Sequence, residues 1–363
     1  LGWGGFWFWD PVENASLLPW FAMTALFHSL IVLEKRGLFY FWVIILCILT
    51  FILSVTGTFL VRSGILNSVH TFASDPSRGI YILLFLSSLI FISLFLLLKK
   101  IKTNNYRINS NSKEAYVLVN NWFMLFYLIT VLLGTVYPIF SEVLTNHKVS
   151  VGPPFYNTVI IPIVILFLLF MAVGPKVKWI KDNFYDIKLL IGILIFSITL
   201  NILIVYLFKS YSLISNFIII SSIFLISSSL IDLFKYLTKK EWNIQRVISH
   251  LSFGFLVFFI GLSHNFTLEK DFNLKIGEKK VFKNYILEFK DLKLEKFKNY
   301  QTVVGEFHVY NSLNKINHTL LPEIRIYEKP NTLTYEASIK SGLLKDYYLT
   351  MSNIDRSDYY NVK

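Results

Sequence analysis

The segment GWGGFWFWDPVENASLLPW, residues 2–20, decides how the rest of the chain is interpreted. It holds four tryptophans, two phenylalanines and three glycines within nineteen residues. The rings follow neither the helical nor the strand period, so they do not simply form one buried face. Glycine lets the backbone approach a flat object, and aromatic rings stack on one. This Trp-rich segment therefore favours a platform for a large planar apolar ligand, with an interfacial aromatic belt as the alternative.

The same segment carries a helix-start signal. Asp10 precedes Pro11, an order that is typical of an N-cap followed by the first helical position. We expect Asp10, Glu13 and Asn14 to hold this turn, and we assign no catalytic residue.

The composition is that of a membrane protein. Of the 363 residues, 54% are hydrophobic and 17% are aromatic, and the mean hydropathy is +0.54. Soluble domains rarely reach such values. The single cysteine, Cys47, excludes an internal disulfide and is predicted to be a small buried hydrophobe. The chain does not begin with Met, and we expect it to be a fragment that lacks upstream helices.

Eight apolar runs are long enough to span a bilayer, and they predict an all-α polytopic membrane protein. The predicted spans are about 15–33, 38–60, 79–98, 117–140, 158–174, 187–208, 212–234 and 247–264. Four loops, at 34–37, 99–116, 175–188 and 235–246, hold fifteen Lys and Arg, while the alternate loops hold four. The positive loops are predicted to be cytoplasmic, which places the Trp-rich segment outside. The net charge of +12 therefore comes from loop charges that orient the helices, and it is compatible with a membrane protein. We expect no nucleic-acid partner.

The tail after residue 265 has a different pattern. Charged and apolar residues alternate, as in Lys279–Leu294 and Gly305–Tyr310, and long apolar runs are missing from the sequence here. This pattern predicts a β-rich extracytoplasmic domain, with turns at 302–305 and at Asn311-Ser312. The expected divisions are the Trp-rich segment at 1–20, a helical membrane domain at 15–264 and the β-rich domain at 265–363.

Four parts of the chain resemble one family. WGGFWFWDPVENASLLPW (3–20) resembles the tryptophan-rich WWD signature of the haem-handling membrane proteins of cytochrome c maturation. Its DPVENAS continuation favours the CcmF branch, a haem lyase family, over the exporter CcmC and the single-complex synthetase. The resemblance extends through FLVRSGILNSVHTFASDPSRG (59–79), NNWFMLFYLITVLLGTVYPIF (120–140) with VSVGPPFYN (149–157), and HLSFGFLVFFIGLSHNFTLEKDFNLKIGE (250–278).

Two histidines, His28 and His250, fall inside predicted spans. Their distances from Lys35 and Arg246 put them roughly 10 and 6 Å above the cytoplasmic edge, nearly at one depth. Ionisable residues at membrane depth are usually functional, and two imidazoles at one depth can ligate one iron. Hydrogen bonding to neighbouring helices is the alternative. The resemblance implies that these two residues hold a resident b-type haem.

His70 lies in a predicted outside loop between Arg62 and Arg78. Such a residue is ordinarily only solvated, but the resemblance implies that it ligates the iron of an incoming substrate haem. The partner histidine of this pair would precede the Trp-rich segment, upstream of Leu1. Arg62 and Arg78 are candidates to pair with haem propionates or to anchor helix ends. The residues expected to contact substrate haem are Trp3, Trp7, Trp9, Asp10, Trp20 and His70.

The resemblance implies a function as well. It implies a membrane haem lyase that presents haem for thioether attachment to apocytochrome c, with a CcmE-like haem chaperone and a CcmH-like thiol-reducing protein as partners. A haem transporter of the same family is the first alternative, and a structural assembly platform with no haem of its own is the second. The expected location is the bacterial inner membrane with the β-rich domain in the periplasm, or else the mitochondrial inner membrane.

Overall fold

The computed structural model describes residues 7–66, 75–100, 107–147, 149–181, 187–208, 212–239, 244–310, 316–328, 332–342, 345–354 and 357–363. Within these residues, the chain forms a helical unit that ends at Phe266 and a β unit from Thr267 to Lys363. Each unit has its own hydrophobic core.

The helical unit contains eight long helices among the described residues, which confirms the predicted fold class. All eight are long and apolar enough to span a membrane, by length and composition. They are α1 (Pro11–Arg36), α2 (Tyr40–Arg62), α3 (Pro76–Lys100), α4 (Lys113–Thr145), α5 (Pro153–Val173), α6 (Ile187–Phe208), α7 (Leu213–Lys239) and α8 (Ile244–Phe266). Most run past the predicted spans at one or both ends; α4, for example, begins at Lys113, where the Ser112 hydroxyl caps it.

The first half of the helical unit is organised around α1, which packs against α2 and α4. Leu18, Ala22 and Ala25 of α1 are almost completely buried. The two alanines let the neighbouring backbones approach closely, as small residues do in membrane bundles. A polar contact also links α1 to α4, where the Asn121 amide donates to the Ser29 hydroxyl at 2.8 Å.

In the second half, α7 packs against α5, α6 and α8. Two glycines of α8 face α7. A Cβ at Gly254 would lie 2.9 Å from Cγ1 of Ile226, and one at Gly261 would lie 3.1 Å from Cγ2 of Ile218. The missing side chains therefore let α8 lie close against α7, and α8 carries His250 at its beginning.

Cys47 corrects one expectation. Its side chain is exposed on α2, whereas the sequence predicted that it is buried. The physical reason is that lipid is as apolar as a protein core, so a small apolar residue in a spanning helix need not face inward.

The β unit contains eleven strands among its described residues, all in antiparallel pairs. The strands are β1 (Phe272–Leu274), β2 (Lys279–Phe282), β3 (Tyr285–Lys296), β4 (Tyr300–Tyr310), β5 (Ile316–Leu320), β6 (Glu323–Tyr327), β7 (Thr332–Glu336), β8 (Ser338–Lys340), β9 (Tyr347–Leu349), β10 (Met351–Asn353) and β11 (Tyr360–Val362). The largest sheet has the order β2-β3-β4-β6-β7, with β5 beside the second half of β4. A second sheet has the order β1-β11-β10, and β8 pairs with β9.

The core of the β unit centres on β3 and β4. Phe289 and Phe307 are fully buried, and their rings stack with centroids 4.3 Å apart. The turn predicted at 302–305 is wrong, because these residues lie within β4. Gly305 serves close packing instead, since a Cβ there would lie 2.7 Å from the sulfur of Met351. The other predicted turn, Asn311-Ser312, lies outside the described residues.

Candidate functional site

Within the Trp-rich segment, residues 8–13 form a capped helix start. Asp10 is the N-cap of α1, and its carboxylate accepts from the Val12 N–H at 2.9 Å. The Glu13 carboxylate reaches back to accept from the N–H groups of Asp10, at 3.1 Å, and Phe8, at 3.0 Å. This reciprocal arrangement is a capping box, so the predicted cap is confirmed. It fixes the direction in which residues 8–10 leave the helix.

Trp9 is anchored to the helical unit by Tyr156 at the start of α5. Their rings are nearly parallel, with centroids 4.3 Å apart and 11° between the planes. Tyr156 is fully buried. The Asn14 amide joins the two residues by donating to the Tyr156 hydroxyl at 3.0 Å and to the Trp9 carbonyl at 3.1 Å. The end of the Trp-rich segment is therefore held in a fixed position.

Helix α4 makes room for this anchor. A Cβ at Gly134 would lie 2.5 Å from the Tyr156 hydroxyl, closer than real Cβ contacts come. Only glycine leaves space for the phenol at this point. Sequence reasoning missed the roles of Tyr156 and Gly134, although both lie in stretches that resemble the family. A glycine inside a long apolar helix was the available signal, since it often marks a close approach.

The structure brings together only some of the predicted platform residues. Trp7 contacts Trp9 edge to face, with centroids 6.0 Å apart. Trp20 lies eleven residues further along α1, which corresponds to roughly 16 Å of helix, and its nearest described ring is Phe21. Trp20 is 47% exposed. Trp3 and His70 lie outside the described residues.

His28 lies on α1, and its ring orientation is set by its own helix. Its Nδ1 is 2.9 Å from the Thr24 carbonyl oxygen. Because a carbonyl only accepts, Nδ1 carries the hydrogen of the neutral ring, and the lone pair is at Nε2. Histidines that bind metals characteristically donate their other N–H to a carbonyl in this way. The His28 imidazole is thus arranged as a ligand for a metal would be.

His250, on α8, lies within electrostatic range of His28. Its ring also hydrogen-bonds the main chain of Met171 on α5. Phe253, one turn later on α8, contacts Phe167 of α5 edge to face and packs against the core to which α1 also contributes. Both imidazoles are half-buried. An imidazole has two ring nitrogens, so the interhelical hydrogen bond and a metal bond are compatible.

Arg78, a candidate partner for a haem propionate, has a protein partner. Its guanidinium lies 3.2 Å from the Asp75 carboxylate, and its side chain is 70% exposed. Asp75 precedes α3 and accepts from the Ser77 hydroxyl and the Arg78 N–H, at 2.6 and 3.2 Å. These hydrogen bonds hold the pKa of Asp75 below its usual value. Asp75 therefore stays ionised near neutral pH, which keeps Arg78 paired.

Comparisons with known proteins agree with this architecture. Residues 1–66 match the family model "Cytochrome C assembly protein", and residues 265–363 match "CcmF C-terminal beta-sandwich". The cytochrome c-type biogenesis protein CcmF of Pseudomonas fluorescens is 36% identical over 368 residues, which cover 97% of this chain and 55% of that protein. CcmF of Escherichia coli (strain K12) is 36% identical over 366 residues, with the same coverage of 97% and 55%.

A solved structure described as "Cytochrome c Heme Lyase CcmF" shares the fold. The TM-score is 0.74 at 21% identity, and the match covers 99% of this chain and 56% of that one. The fold is that of a multi-pass membrane protein, and the matching families are those of cytochrome c assembly proteins. The chain belongs to the CcmF family, and it spans about half the length of the curated relatives that it matches.

Proposed function

We propose that this chain forms the haem-handling part of a membrane haem lyase, which presents haem for covalent attachment to apocytochrome c. The observation that carries the proposal is the presence of two half-buried histidines, His28 on α1 and His250 on α8, within a chain of the CcmF family. The Nδ1–H of His28 donates to the Thr24 carbonyl of the same helix, which leaves Nε2 as the nitrogen that can bind an iron.

The two histidines fit a resident b-type haem. His28 and His250 would hold the iron of such a haem, since imidazoles from two helices can ligate one iron, and the two residues lie on different helices of the unit. When bound, such a haem would supply one-electron chemistry. The chain's own contribution is to hold the two rings in place. Thr24 orients the His28 ring, and Met171 orients the His250 ring.

The reaction places few chemical demands on the protein. Each cysteine S–H of the apocytochrome adds across one vinyl C=C of the haem, so that a C–S bond and a C–H bond form and no oxidant is consumed. Both sulfurs belong to the apocytochrome, so the exposed Cys47 needs no part in it. The protein then acts by positioning, which is worth several kcal/mol, on the order of 7–11 in favourable cases.

The substrate haem is proposed to lie on the Trp-rich segment. Trp7 and Trp9 offer ring faces and edges, and the capping box and Tyr156 keep them in position. His70 is the proposed iron ligand, as the family resemblance implies. Trp3, Asp10 and Trp20 complete the set proposed from sequence. The location that we propose is the bacterial inner membrane with the β unit in the periplasm, and the partners are apocytochrome c, a CcmE-like haem chaperone and a CcmH-like reductant.

A transporter of haem is the second candidate, and one experiment separates the two. A strain lacking the full-length parent protein would be assayed for c-type cytochromes and for a non-covalent b-type haem protein exported to the same side. A lyase predicts loss of covalent cytochrome c while the b-type protein still fills with haem. A transporter predicts that both remain empty and that haem added from outside restores both. Normal cytochrome c in this strain would contradict either function.

A further inference from the structure

Three elements of the helical unit, the turn after α5 and the helices α7 and α8, bring charged side chains together. Lys176 follows α5, in a short 3-10 turn, and its ammonium pairs with the Asp232 carboxylate of α7. Both side chains are almost fully buried, at 5% and 7% exposure. Lys176 also donates to the Ser228 carbonyl at 3.3 Å, and the Ser228 hydroxyl donates to the Ala172 carbonyl at 2.9 Å. The end of α5 is thus fixed against α7.

Arg246 of α8 belongs to the same cluster. It interacts electrostatically with Asp232 and with Lys176. It also lies within electrostatic range of His250. Arg246 and His250 are four positions apart, so both lie on one face of α8, about 6 Å apart along its axis. The chain of neighbours therefore runs from His28 through His250 and Arg246 to Asp232 and Lys176.

The arrangement is costly as a purely structural device. Two cations share the field of one carboxylate, and buried charges carry a desolvation penalty that an ion pair often fails to repay. Lys235 adds a further positive field at Lys176. The cluster is net positive and begins one helical turn from His250. A carboxylate on a ligand bound to the His250 imidazole would therefore be attracted to it.

We propose that Arg246 and Lys176 form the binding site for the propionate carboxylates of the haem held by His28 and His250. This inference rests on the resident haem of the proposed function. Arg246 supplies a planar donor group for charge-assisted hydrogen bonds, and Lys176 supplies a second positive charge. Asp232 is the positioning residue, since it holds the Lys176 ammonium and attracts the Arg246 guanidinium. The site would thereby fix the rotation of the haem about the axis between its two histidines.

The test uses the full-length parent protein, purified in detergent and titrated potentiometrically while its haem absorbance is recorded. Arg246→Gln and Lys176→Gln remove one positive charge each beside the propionates. Because positive charge there favours the reduced haem, each change is expected to shift the equilibrium tenfold toward ferric iron, which is about 59 mV to lower potential. Lys35→Gln is the matched control, since Lys35 is on the helix of His28, at the same predicted end, with its side chain 58% exposed.

The outcomes are distinct. Lower potentials in Arg246→Gln and Lys176→Gln, with the Lys35→Gln potential unchanged, support the site. Reduced haem content in folded Arg246→Gln or Lys176→Gln protein, at normal content in Lys35→Gln, supports it as well. Potentials and haem contents equal in all three variants overturn it. Where Arg246→Gln does not fold, Arg246→Lys is used instead, because it keeps the positive charge. Its potential is expected to differ from that of the wild type by no more than the potential of Lys35→Gln does. A tenfold shift in the equilibrium of Arg246→Lys would overturn the role of charge.

Failure of the proposed function would look different. Wild-type protein that shows no low-spin haem spectrum in either redox state contradicts the resident haem itself. A normal spectrum with no effect of the two substitutions contradicts only the propionate site.

Discussion

The indole ring of Trp9 stacks on the phenol ring of Tyr156, with 4.3 Å between centroids and 11° between planes. One residue comes from the Trp-rich segment, and the other lies in the first turn of α5, more than a hundred positions later. Asn14 donates to both, so the contact combines ring stacking with a buried hydrogen-bond network. The position of the Trp-rich segment therefore depends on α5 as much as on its own sequence.

The stacking predicts an energetic coupling between the two residues. A double-mutant cycle of Trp9→Leu and Tyr156→Leu is expected to give a coupling free energy of about 0.5–1.5 kcal/mol, because either change alone removes the same contact. The measurement is the free energy of unfolding of the detergent-solubilised full-length protein. Trp7→Leu with Tyr156→Leu is the control pair, since Trp7 contacts the Trp9 ring edge to face, whereas the ring stacked on Tyr156 is that of Trp9. Equal coupling in both pairs would mean that the stacking is not specific.

Gly134 offers an independent test of the same packing. Gly134→Ala is expected to destabilise the protein by about 1–3 kcal/mol, because the new Cβ would overlap the Tyr156 hydroxyl. Gly192→Ala in α6 is the matched control, since no heavy atom lies within 4 Å of its added Cβ. Alanine also favours helix over glycine by roughly 1 kcal/mol, so the control should be neutral or stabilising. Thermal unfolding of the two variants side by side measures the difference, and equal stability would contradict the close approach.

Much of the fold follows from local pattern. The eight spans were predictable because each is a long apolar run, and the helix start at Asp10 was predictable from the Asp-Pro order and Glu13. The turn expected at 302–305 failed because Gly305 is needed for close packing against Met351, a contact that no local pattern encodes. Cys47 was predicted to be buried but is exposed, because no local sequence signal separates lipid-facing from buried residues in an apolar helix.

For the candidate site, the sequence indicated His28 and His250 as candidate ligands, at similar depths estimated by counting residues. The orientation of each ring by Thr24 and Met171 needs the folded chain. Lys176 and Arg246 were counted among the loop charges, because sequence cannot show that α5, α7 and α8 bring them around Asp232. Tertiary proximity between distant residues is the part that local reasoning lacks.

The charge asymmetry of the loops predicts the topology. Protease added to the outer face of sealed membranes is expected to remove residues 267–363 and to spare the loop 99–116, because fifteen of the Lys and Arg counted lie in the loops predicted to be inside, against four outside. Immunoblots against the two regions would report the result. Opening the membranes with detergent provides the control, since the inner loop should then be cut. Cleavage in 99–116 before opening would reverse the topology.

His70 predicts a separation of the two haem roles. His70→Ala in the full-length protein is expected to abolish cytochrome c maturation while the resident haem stays in place, because only the substrate haem loses a ligand. Trp7→Ala and Trp9→Ala are expected to give partial loss, since one ring contact is worth about 0.5–1.5 kcal/mol beyond its buried area. Covalent haem staining of the cytochromes measures maturation, and added imidazole should partly restore the His70 variant.

His147→Ala is the control for this prediction, as His147 is an exposed histidine that follows α4, in a loop predicted to lie on the same side. It should mature cytochrome c normally. Normal maturation in the His70 variant, at protein levels equal to wild type, would leave His70 as a solvated residue and the Trp-rich segment without its proposed ligand.

The absorption spectrum of the purified full-length protein and of three histidine variants tests the central claim most directly. His28→Ala and His250→Ala should each remove the low-spin haem signal, and to a similar extent, because a haem with two axial imidazoles needs both. His264→Ala should retain it, since His264 lies at the far end of α8, where its ring contacts the Ser215 hydroxyl at 3.2 Å. A low-spin spectrum that survives in both the His28 and the His250 variant would contradict the account and leave the two residues as partners in helix packing.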